Sequence, residues 1–215
     1  MNIFVVGLPK SGKTTVAQQL VQRSFNPHGP DWFYINAIDW VRGTFRAPSV
    51  NEKPASFEEE YHGFLINRFQ DNPDIISANL SSSISAIEKN GGRYNWVIDG
   101  IFSPRDFCKL FNYNKDIVVF LNRTDGDPES QDYEAIGVSV IRDYCFWLSS
   151  ANLLEKTRWL EYNFKIPGEY SDSVKILGSK NTVLIVKSID NVITNLVERV
   201  QILASSSSSS SSSST

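Results

Sequence analysis

A short loop near the amino end of the chain holds the first residues whose types and spacing could do chemistry. Residues 7–14 read GLPKSGKT, which fits the pattern GxxxxGK[ST] between an apolar run and a helix-forming stretch. Backbone N–H groups in such a loop cradle phosphate oxygens, Lys13 adds a mobile positive charge, and Thr14 offers an oxygen to magnesium. The loop predicts binding of a nucleoside triphosphate with Mg²⁺. The predicted nucleotide-binding residues are Gly7, Pro9, Lys10, Ser11, Gly12, Lys13, Thr14 and Thr15.

A carboxylate ends a later apolar run, NWVID. This residue is Asp99, at the kind of position where a strand-end carboxylate holds Mg²⁺ or its water beside bound phosphates. The alternative interpretation is that Asp99 caps the turn that follows it. Because the phosphate loop is present, Thr14 and Asp99 are predicted as the metal ligands.

Arginines outside the loop are the next candidates, because phosphoryl transfer requires positive charge on both sides of the migrating group. Arg42 follows the second apolar run, and Arg105 follows Asp99. Three more lie beyond the fourth apolar run: Arg123, Arg142 and Arg158. Taken singly, each is also explained as a solvated surface arginine.

The elements that must position these residues alternate between strand and helix. Five strands are predicted, near residues 2–6, 32–36, 94–98, 116–121 and 182–186. The segment 133–163 is predicted to be mainly helical, and a helix closes the chain. Such alternation predicts an α/β fold whose five-stranded parallel sheet is covered on both faces, with ligands bound at the carboxyl ends of the strands.

Composition bounds the class of protein. The chain has 215 residues, of which 41% are hydrophobic, so a single domain over residues 1–204 is expected. A formal net charge of -3 gives no global basic face for long nucleic acid. No window reaches the roughly 18 apolar residues of a membrane span. The serine run at 205–215 cannot bury apolar surface and is expected to be disordered.

The two cysteines, Cys108 and Cys145, stand neither in a CxxC pattern nor near a histidine. This spacing indicates neither a disulfide framework nor a zinc site. Both are predicted to be buried thiols in a reducing environment. The expected location is therefore the cytoplasm.

The order of these motifs resembles the adenylate kinase family and related nucleoside monophosphate kinases. The opening loop resembles their phosphate loop, with Lys10 where glycine is usual. INAIDWVRGTF, with Asp39 and Arg42, resembles the start of their acceptor-binding helix. VIDGIFSPRDF, with Arg105, resembles their DGFPR block, and KTRWLEY resembles the helix that supplies a catalytic arginine near the lid, here Arg158.

The resemblance implies a three-layer P-loop kinase fold with a helical acceptor-binding insertion at about 37–90 and a short helical lid at about 123–165. The implied cofactor is Mg²⁺ with ATP as phosphoryl donor. Trp40 is placed to stack on an acceptor base, although aromatic residues after a strand are also common in cores. The implied acceptor-binding residues are Asp39, Trp40, Arg42 and Arg105. The implied catalytic residues are Lys13, Arg105, Arg142 and Arg158.

The function indicated is ATP-dependent phosphoryl transfer to a nucleoside or deoxynucleoside monophosphate. The family's lid carries several arginines, whereas this lid offers only Arg142 and Arg158. One alternative is therefore a P-loop kinase for another small acceptor or a polynucleotide 5′ end. A different alternative is a noncatalytic nucleotide-binding protein whose region 123–180, which includes the aromatic stretches DYCFWL and RWLEYNF, contacts a partner protein.

Overall fold

The computed structural model describes residues 1–8, 11–23, 31–44, 74–90, 94–123, 133–155, 158–164, 183–185 and 189–209. Within these ranges six strands and six helices follow one another along the chain. In order they are β1 (Ile3–Gly7), α1 (Lys13–Arg23), β2 (Asp31–Asn36), α2 (Ala37–Thr44), α3 (Ile75–Lys89), β3 (Tyr94–Asp99), α4 (Pro104–Leu110), β4 (Ile117–Arg123), α5 (Tyr133–Ser150), β5 (Trp159–Phe164), β6 (Val183–Ile185) and α6 (Ile189–Ser209).

The strands form one sheet in the order β2-β3-β1-β4-β5-β6. Every neighbouring pair is parallel, so all strands end at the same edge, which we call the carboxyl edge. The predicted α/β fold with a parallel sheet is confirmed. Because β1 lies between β3 and β4, the segments that follow these three strands meet at the middle of that edge.

The described sheet has six strands rather than the predicted five, because Trp159–Phe164 is a strand. The sequence interpretation assigned this segment to a helix. Trp159 and Leu160 are buried against opposite layers of helices. Residues 160–164 read LEYNF, an alternation of apolar and polar side chains that is typical of a strand and that the helical interpretation of 133–163 did not use.

Two apolar cores flank the sheet, and alternate residues of β1 contribute to each of them. Phe4 and Val6 pack in the core that contains residues of α3, α4 and α5. Ile3 and Val5 pack in the core that contains residues of α1 and α6. The molecule is therefore built in three layers, with β1 buried on both sides.

Two local expectations differ from the structure. Cys145 is buried as predicted, but Cys108 is exposed, because Asp106 and Phe107 form the buried face of α4. The last helix continues to Ser209, five residues into the serine run that was expected to be disordered. A helix that already exists gains one backbone hydrogen bond for each residue added, without a new nucleation cost. None of the helices among the described residues has the length and apolarity needed to cross a membrane.

Candidate active site

The phosphate loop begins where β1 ends. A Cβ atom on Gly7 would lie 2.6 Å from the carbonyl oxygen of Leu121 and 2.6 Å from Ser11 Oγ, so only glycine fits there. Gly12 has a φ of 82°, in the left-handed region that favours glycine. These two glycines turn the chain from the sheet into α1. Pro9 and Lys10 lie outside the described residues.

The amino end of α1 presents the chemical groups of the loop. Lys13 Nζ donates a hydrogen bond to the carbonyl oxygen of Leu8 at 2.7 Å, so the side chain folds back over its own loop. Thr14 and Thr15 are exposed in the first turn. Ser11 is buried, and its Oγ finds no hydrogen-bond partner within the described ranges. Exposed N-terminal groups beside a buried hydroxyl form a suitable anion cradle.

Thr14 and Asp99 are brought together at the carboxyl edge. Thr14 Oγ1 donates to Asp99 Oδ2 at 2.8 Å, although 85 residues separate the two in sequence. Asp99 ends β3, which lies beside β1 in the sheet. A hydroxyl and a carboxylate from adjacent strand ends are oxygen ligands of the type that Mg²⁺ prefers.

Tyr34 also contacts Asp99, and the sequence interpretation missed it. The Tyr34 hydroxyl donates to Asp99 Oδ1 at 3.1 Å, so both carboxylate oxygens are hydrogen-bonded. Asn36 pairs in register with Asp99 across β2 and β3, and Tyr34 stands two residues earlier on the same face. Polar groups at alternate positions near the end of an otherwise apolar strand were the available signal.

Burial controls the protonation chemistry around Asp99. Asp99 is only 1% exposed, and this burial raises the pKa of its carboxyl group above the ordinary 3.8, against the hydrogen bonds from Thr14 and Tyr34. Burial, followed by the negative charge of Asp99, raises the pKa of Tyr34 to about 12. Tyr34 therefore stays a neutral donor, while Asp99 is a buried acid that a cation would stabilise in its charged form.

The helix predicted to bind the acceptor begins beside Asp99. Asn36 caps α2, because its Oδ1 accepts a hydrogen bond from the backbone N of Asp39 at 3.0 Å. Gly100 has a φ of 76°, and a Cβ there would lie 3.1 Å from Asn36 Oδ1. The cap thus fixes α2 against the segment after β3. Asp39 and Trp40 are exposed on α2, and the side chain of the predicted Arg42 lies outside the described part of the structure.

Arg105 lies in the first turn of α4, and its Nε is 2.7 Å from Asp74 Oδ1. Lys109 Nζ is 2.6 Å from the other oxygen of Asp74. These partners, Lys109 first, hold the pKa of Asp74 below its ordinary value. Because α4 begins five residues after the end of β3, the exposed Arg105 lies near the carboxyl edge, where its ion pair with Asp74 joins it to the start of α3.

The start of α3 is capped from another element. Asp74 occupies the cap position without a side-chain cap bond. Instead, Asp106 of α4 accepts a hydrogen bond from the backbone N of Ser77 at 2.7 Å. The buried Asp106 therefore joins α3 to α4, while Asp74 engages the two cations of α4.

Arg142 contacts a buried carboxylate that the sequence interpretation did not identify. Arg142 Nη2 of α5 donates to Glu161 Oε1 of β5, and Asn122 Nδ2 of β4 donates to the same oxygen at 2.6 Å. We call these three residues the Glu161 cluster. Asn122 follows Leu121, which pairs with Gly7 at the end of β1. The cluster therefore lies close to the level of the phosphate loop.

The structure does not bring Arg158 to the carboxyl edge, where its predicted catalytic role would place it. Arg158 immediately precedes β5, and its Nη1 donates to the carbonyl oxygen of Lys115 at 2.8 Å, just before β4. Its Nε lies 3.4 Å from Glu155. Since both strands begin there, Arg158 lies at the opposite edge, about a strand length from the loop. Trp159–Phe164 form a strand rather than part of a lid helix, and Arg158 lies just before that strand. The side chain of Arg123 lies outside the described residues.

No protein-family model matches the sequence, and no curated protein is significantly similar to it. Two solved thymidylate kinase structures are similar to the chain. The enzyme from Candida albicans is 16% identical over 94% of this chain and 91% of its own, with a TM-score of 0.44. The enzyme from Ehrlichia chaffeensis is 14% identical over 93% of this chain and 98% of its own, with a TM-score of 0.40.

Proposed function

We propose that this protein transfers the γ-phosphoryl group of ATP to a nucleoside or deoxynucleoside monophosphate. The observation that carries the proposal is the hydrogen bond between Thr14, in the first turn of the helix that follows β1, and Asp99, at the end of the adjacent parallel strand β3. This hydrogen bond connects the phosphate loop with a buried carboxylate. On the other side of β3 lies β2, and α2 begins directly after β2 ends. Donor and acceptor sites built on adjacent strand ends bring two nucleotides together at one edge of the sheet.

The donor half uses the loop and the first turn of α1. Backbone N–H groups around Gly12 and the exposed amino end of α1 bind the phosphates. Lys13 exchanges its bond to the Leu8 carbonyl for a bond to phosphate oxygens, which offer a stronger, charged acceptor. Lys10 is proposed to add a second positive charge beside the donor.

Magnesium fits the residues that the structure places between the two halves. Thr14 Oγ1 and Asp99 Oδ2 lie 2.8 Å apart, and in phosphoryl-transfer sites one or two protein oxygens suffice because phosphates complete the coordination. When bound, Mg²⁺ neutralises charge on the phosphates and orients them. The task of Tyr34 is to hold the other oxygen of Asp99, so that Oδ2 points toward Thr14.

The acceptor half is proposed to use α2 and the start of α4. Trp40 stacks on the acceptor base, Asp39 contacts its polar groups, and Arg42 and Arg105 bind its phosphate. Arg105 then exchanges its solvent-accessible ion pair with Asp74 for the acceptor phosphate, because ion pairs that water screens contribute little to stability. Arg142 stabilises the charge on the migrating phosphoryl group.

A substrate panel tests the proposal. Ribo- and deoxyribonucleoside monophosphates of each base are incubated with ATP and Mg²⁺, and formation of ADP and the diphosphate product is measured. We expect transfer to at least one acceptor, and a loss of about 100-fold in kcat for Lys13→Ala. Intact ATP binding with no transfer to any of them would contradict the proposal. Transfer to a nonphosphorylated acceptor or an oligonucleotide 5′ end would instead favour the alternative kinase.

One observation favours a second candidate, an interaction protein that contacts a partner through the region 123–180. On α5 the side chains of Ile136, Phe146 and Trp147 are 60%, 59% and 58% exposed. Large apolar side chains in solvent on one helix are typical of contact surfaces. Comparing the sedimentation of the wild type and Trp147→Ser over a range of concentrations tests it: association that the variant loses supports the candidate, and monomers throughout would contradict self-association.

A further inference from the structure

Glu161 is a carboxylate buried within the sheet, a position that is unfavourable for a charged side chain unless other groups stabilise it. It stands in the third position of β5, in register with Phe120 of β4, and its side chain is 6% exposed. A buried carboxylate costs several kcal/mol unless charged or polar partners compensate for the lost water. Its neighbours in sequence, Leu160 and Tyr162, are core residues.

Two donors from two different elements converge on this carboxylate. Asn122 Nδ2 and Arg142 Nη2 both donate to Glu161 Oε1. The amide comes from the end of β4 and the guanidinium from α5, so the carboxylate fixes a side chain of the helical layer relative to the sheet. A pair made by a rigid strand residue holds an arginine more tightly than a pair between two long surface side chains.

The orientation of α5 directs Arg142 toward the carboxyl edge. A Cβ on Gly137 would overlap the carbonyl oxygen of Phe102, which lies three residues beyond Asp99, so the amino-terminal half of α5 lies at that edge. Side chains of a helix slope toward its amino terminus. The Arg142 side chain is still 48% exposed, and Glu161 is its one partner in the described ranges. The guanidinium therefore keeps N–H groups for another anion.

We propose that Glu161 is a positioning residue, which holds the guanidinium of Arg142 at the carboxyl edge so that it contacts the terminal phosphate of the bound nucleotide. This inference rests on the proposed function. It adds that Glu161 holds in place an arginine that a longer lid would otherwise supply. β5 lies two strands from β1, about 10 Å away, a gap that an arginine side chain and a triphosphate can span together. A purely structural pair would instead keep β5 and α5 together with no effect on nucleotide binding.

A double-mutant cycle separates these two roles. Wild type, Glu161→Gln, Arg142→Gln and the double variant are compared by calorimetric binding of Mg·ATP and by thermal unfolding. Gln retains an acceptor oxygen for Asn122 but removes the charge that holds the guanidinium. We expect each single variant to weaken Mg·ATP binding about 10-fold and the double variant to lose no more than Arg142→Gln alone.

The matched control is the exposed pair of Arg23 and Asp190, whose atoms lie 3.4 Å apart between α1 and α6. Arg23→Gln and Asp190→Asn should leave Mg·ATP affinity unchanged. If the fold-losses in Mg·ATP affinity of the two single variants multiply in the Glu161 and Arg142 double variant, the proposal is overturned. Single variants with lower thermal stability but unchanged Mg·ATP affinity would also overturn it. If Glu161→Gln does not fold, Glu161→Asp keeps the charge but draws the guanidinium back, and unchanged affinity in folded Glu161→Asp would also overturn it.

The binding readout keeps this inference separate from the proposed reaction. If the substrate panel shows no transfer, the kinase function fails, but the cycle on Mg·ATP affinity still decides whether Glu161 acts through Arg142. If transfer occurs, kcat measured with the accepted monophosphate provides a second cycle. There we expect Glu161→Gln to lower kcat about 10- to 100-fold, with a smaller change in the KM of the acceptor.

Discussion

Asp99 is predicted to carry a negative charge as a metal ligand, but it is also buried, and burial disfavours that charge. Its carboxylate is the predicted metal ligand, yet the residue is only 1% exposed, and burial raises the pKa of its carboxyl group. A site that binds a cation must keep a charge that the empty protein does not favour. Under the proposed function, the cost of that charge is present before Mg·ATP arrives and is relieved when Mg·ATP binds.

Asp99→Asn should therefore separate stability from binding. Without nucleotide at neutral pH, the variant is expected to unfold at a higher temperature than the wild type, because the amide removes a buried charge but keeps an acceptor for Thr14. Its affinity for Mg·ATP should fall about 100-fold. Thermal unfolding and calorimetry measure the two effects. A variant that is less stable without nucleotide, or that binds Mg·ATP normally, would contradict the role assigned to Asp99.

Tyr34 is expected to act through Asp99. Tyr34→Phe removes the hydroxyl that donates to Asp99 Oδ1, so the carboxylate loses its orientation and about 1 kcal/mol of hydrogen bonding. Magnesium-dependent ATP affinity should fall about 5-fold, while ATP affinity without magnesium should not change. Tyr94→Phe on the adjacent strand is the control, because Tyr94 packs against Phe33 and Trp96 instead. Equal losses with and without magnesium would show that Tyr34 has no special relation to the metal site.

At the scale of elements, the contact between α3 and α4 depends on a carboxylate from outside the capped helix. Asp106 accepts the hydrogen bond from Ser77 N, and its own backbone N donates to Ser103 Oγ at 3.3 Å. One buried residue thus connects the start of α3 with the start of α4. Since α4 carries Arg105, this connection sets the position of a predicted acceptor-binding group.

Asp106→Ala should lower the free energy of unfolding by about 1–2 kcal/mol, because it removes the cap of α3. Asp106→Asn is the matched variant, since its amide oxygen still accepts from Ser77 and the change removes a charge from a fully buried residue. We expect Asp106→Asn to be at least as stable as the wild type at neutral pH. Urea unfolding followed by circular dichroism measures both. Equal destabilisation by the two substitutions would argue against a capping role.

The phosphate loop and the strand that precedes it could be predicted from sequence because local constraints determine them. Gly7 and Gly12 are required by close contact and by positive φ, and the pattern of the loop encodes both needs. Asp99 was found because it ends a strand whose neighbour carries the loop. These features depend on a few adjacent residues and on the rule that parallel strands end at one edge.

The Glu161 cluster and the position of Arg158 could not be predicted in the same way. Both depend on whether Trp159–Phe164 is a strand or a helix, and the only local signal for a strand is the short apolar/polar alternation LEYNF at 160–164, next to a long stretch with a helical pattern. As a helix, the segment would have carried Arg158 to the lid. As a strand, it places Arg158 at the far edge and buries Glu161 beside Arg142. The assignment of this one element therefore decides both points: as a strand it removes Arg158 from the candidate site and adds Glu161 to it.

At the scale of the whole molecule, buried acids should make stability depend on pH in an unusual direction. Burial raises the pKa values of Asp99, Asp106 and Asp116 above 3.8. The native state then binds more protons than the unfolded state in the window that begins at 3.8. Their contribution is therefore present at low pH and is lost as the pH rises through the folded-state pKa values. Asp74, whose pKa is lowered, acts in the window below 3.8.

We expect the free energy of unfolding, measured without nucleotide, to decrease as the pH rises above 3.8. The lowered pKa of the Met1 amino group acts in the window below 8.0, where it makes stability rise with pH. Urea titrations at several pH values measure the slope, and Asp99→Asn and Asp106→Asn should each flatten it. Stability that rises across the range, or a slope that neither variant changes, would contradict the assignment of these acids.

The central position of β1 in the sheet has a consequence for synthesis of the chain. Ile3 pairs with Val97 on one side and with Ile117 on the other, so β1 has no neighbouring strand of the sheet until the next hundred or so residues have been synthesised. At roughly 5–20 residues per second, this wait lasts about 5–20 s. During that time the strand can pair only with other chains, and pairing over so long a sequence separation is slow. The nascent chain is therefore expected to need chaperone protection until β4 emerges.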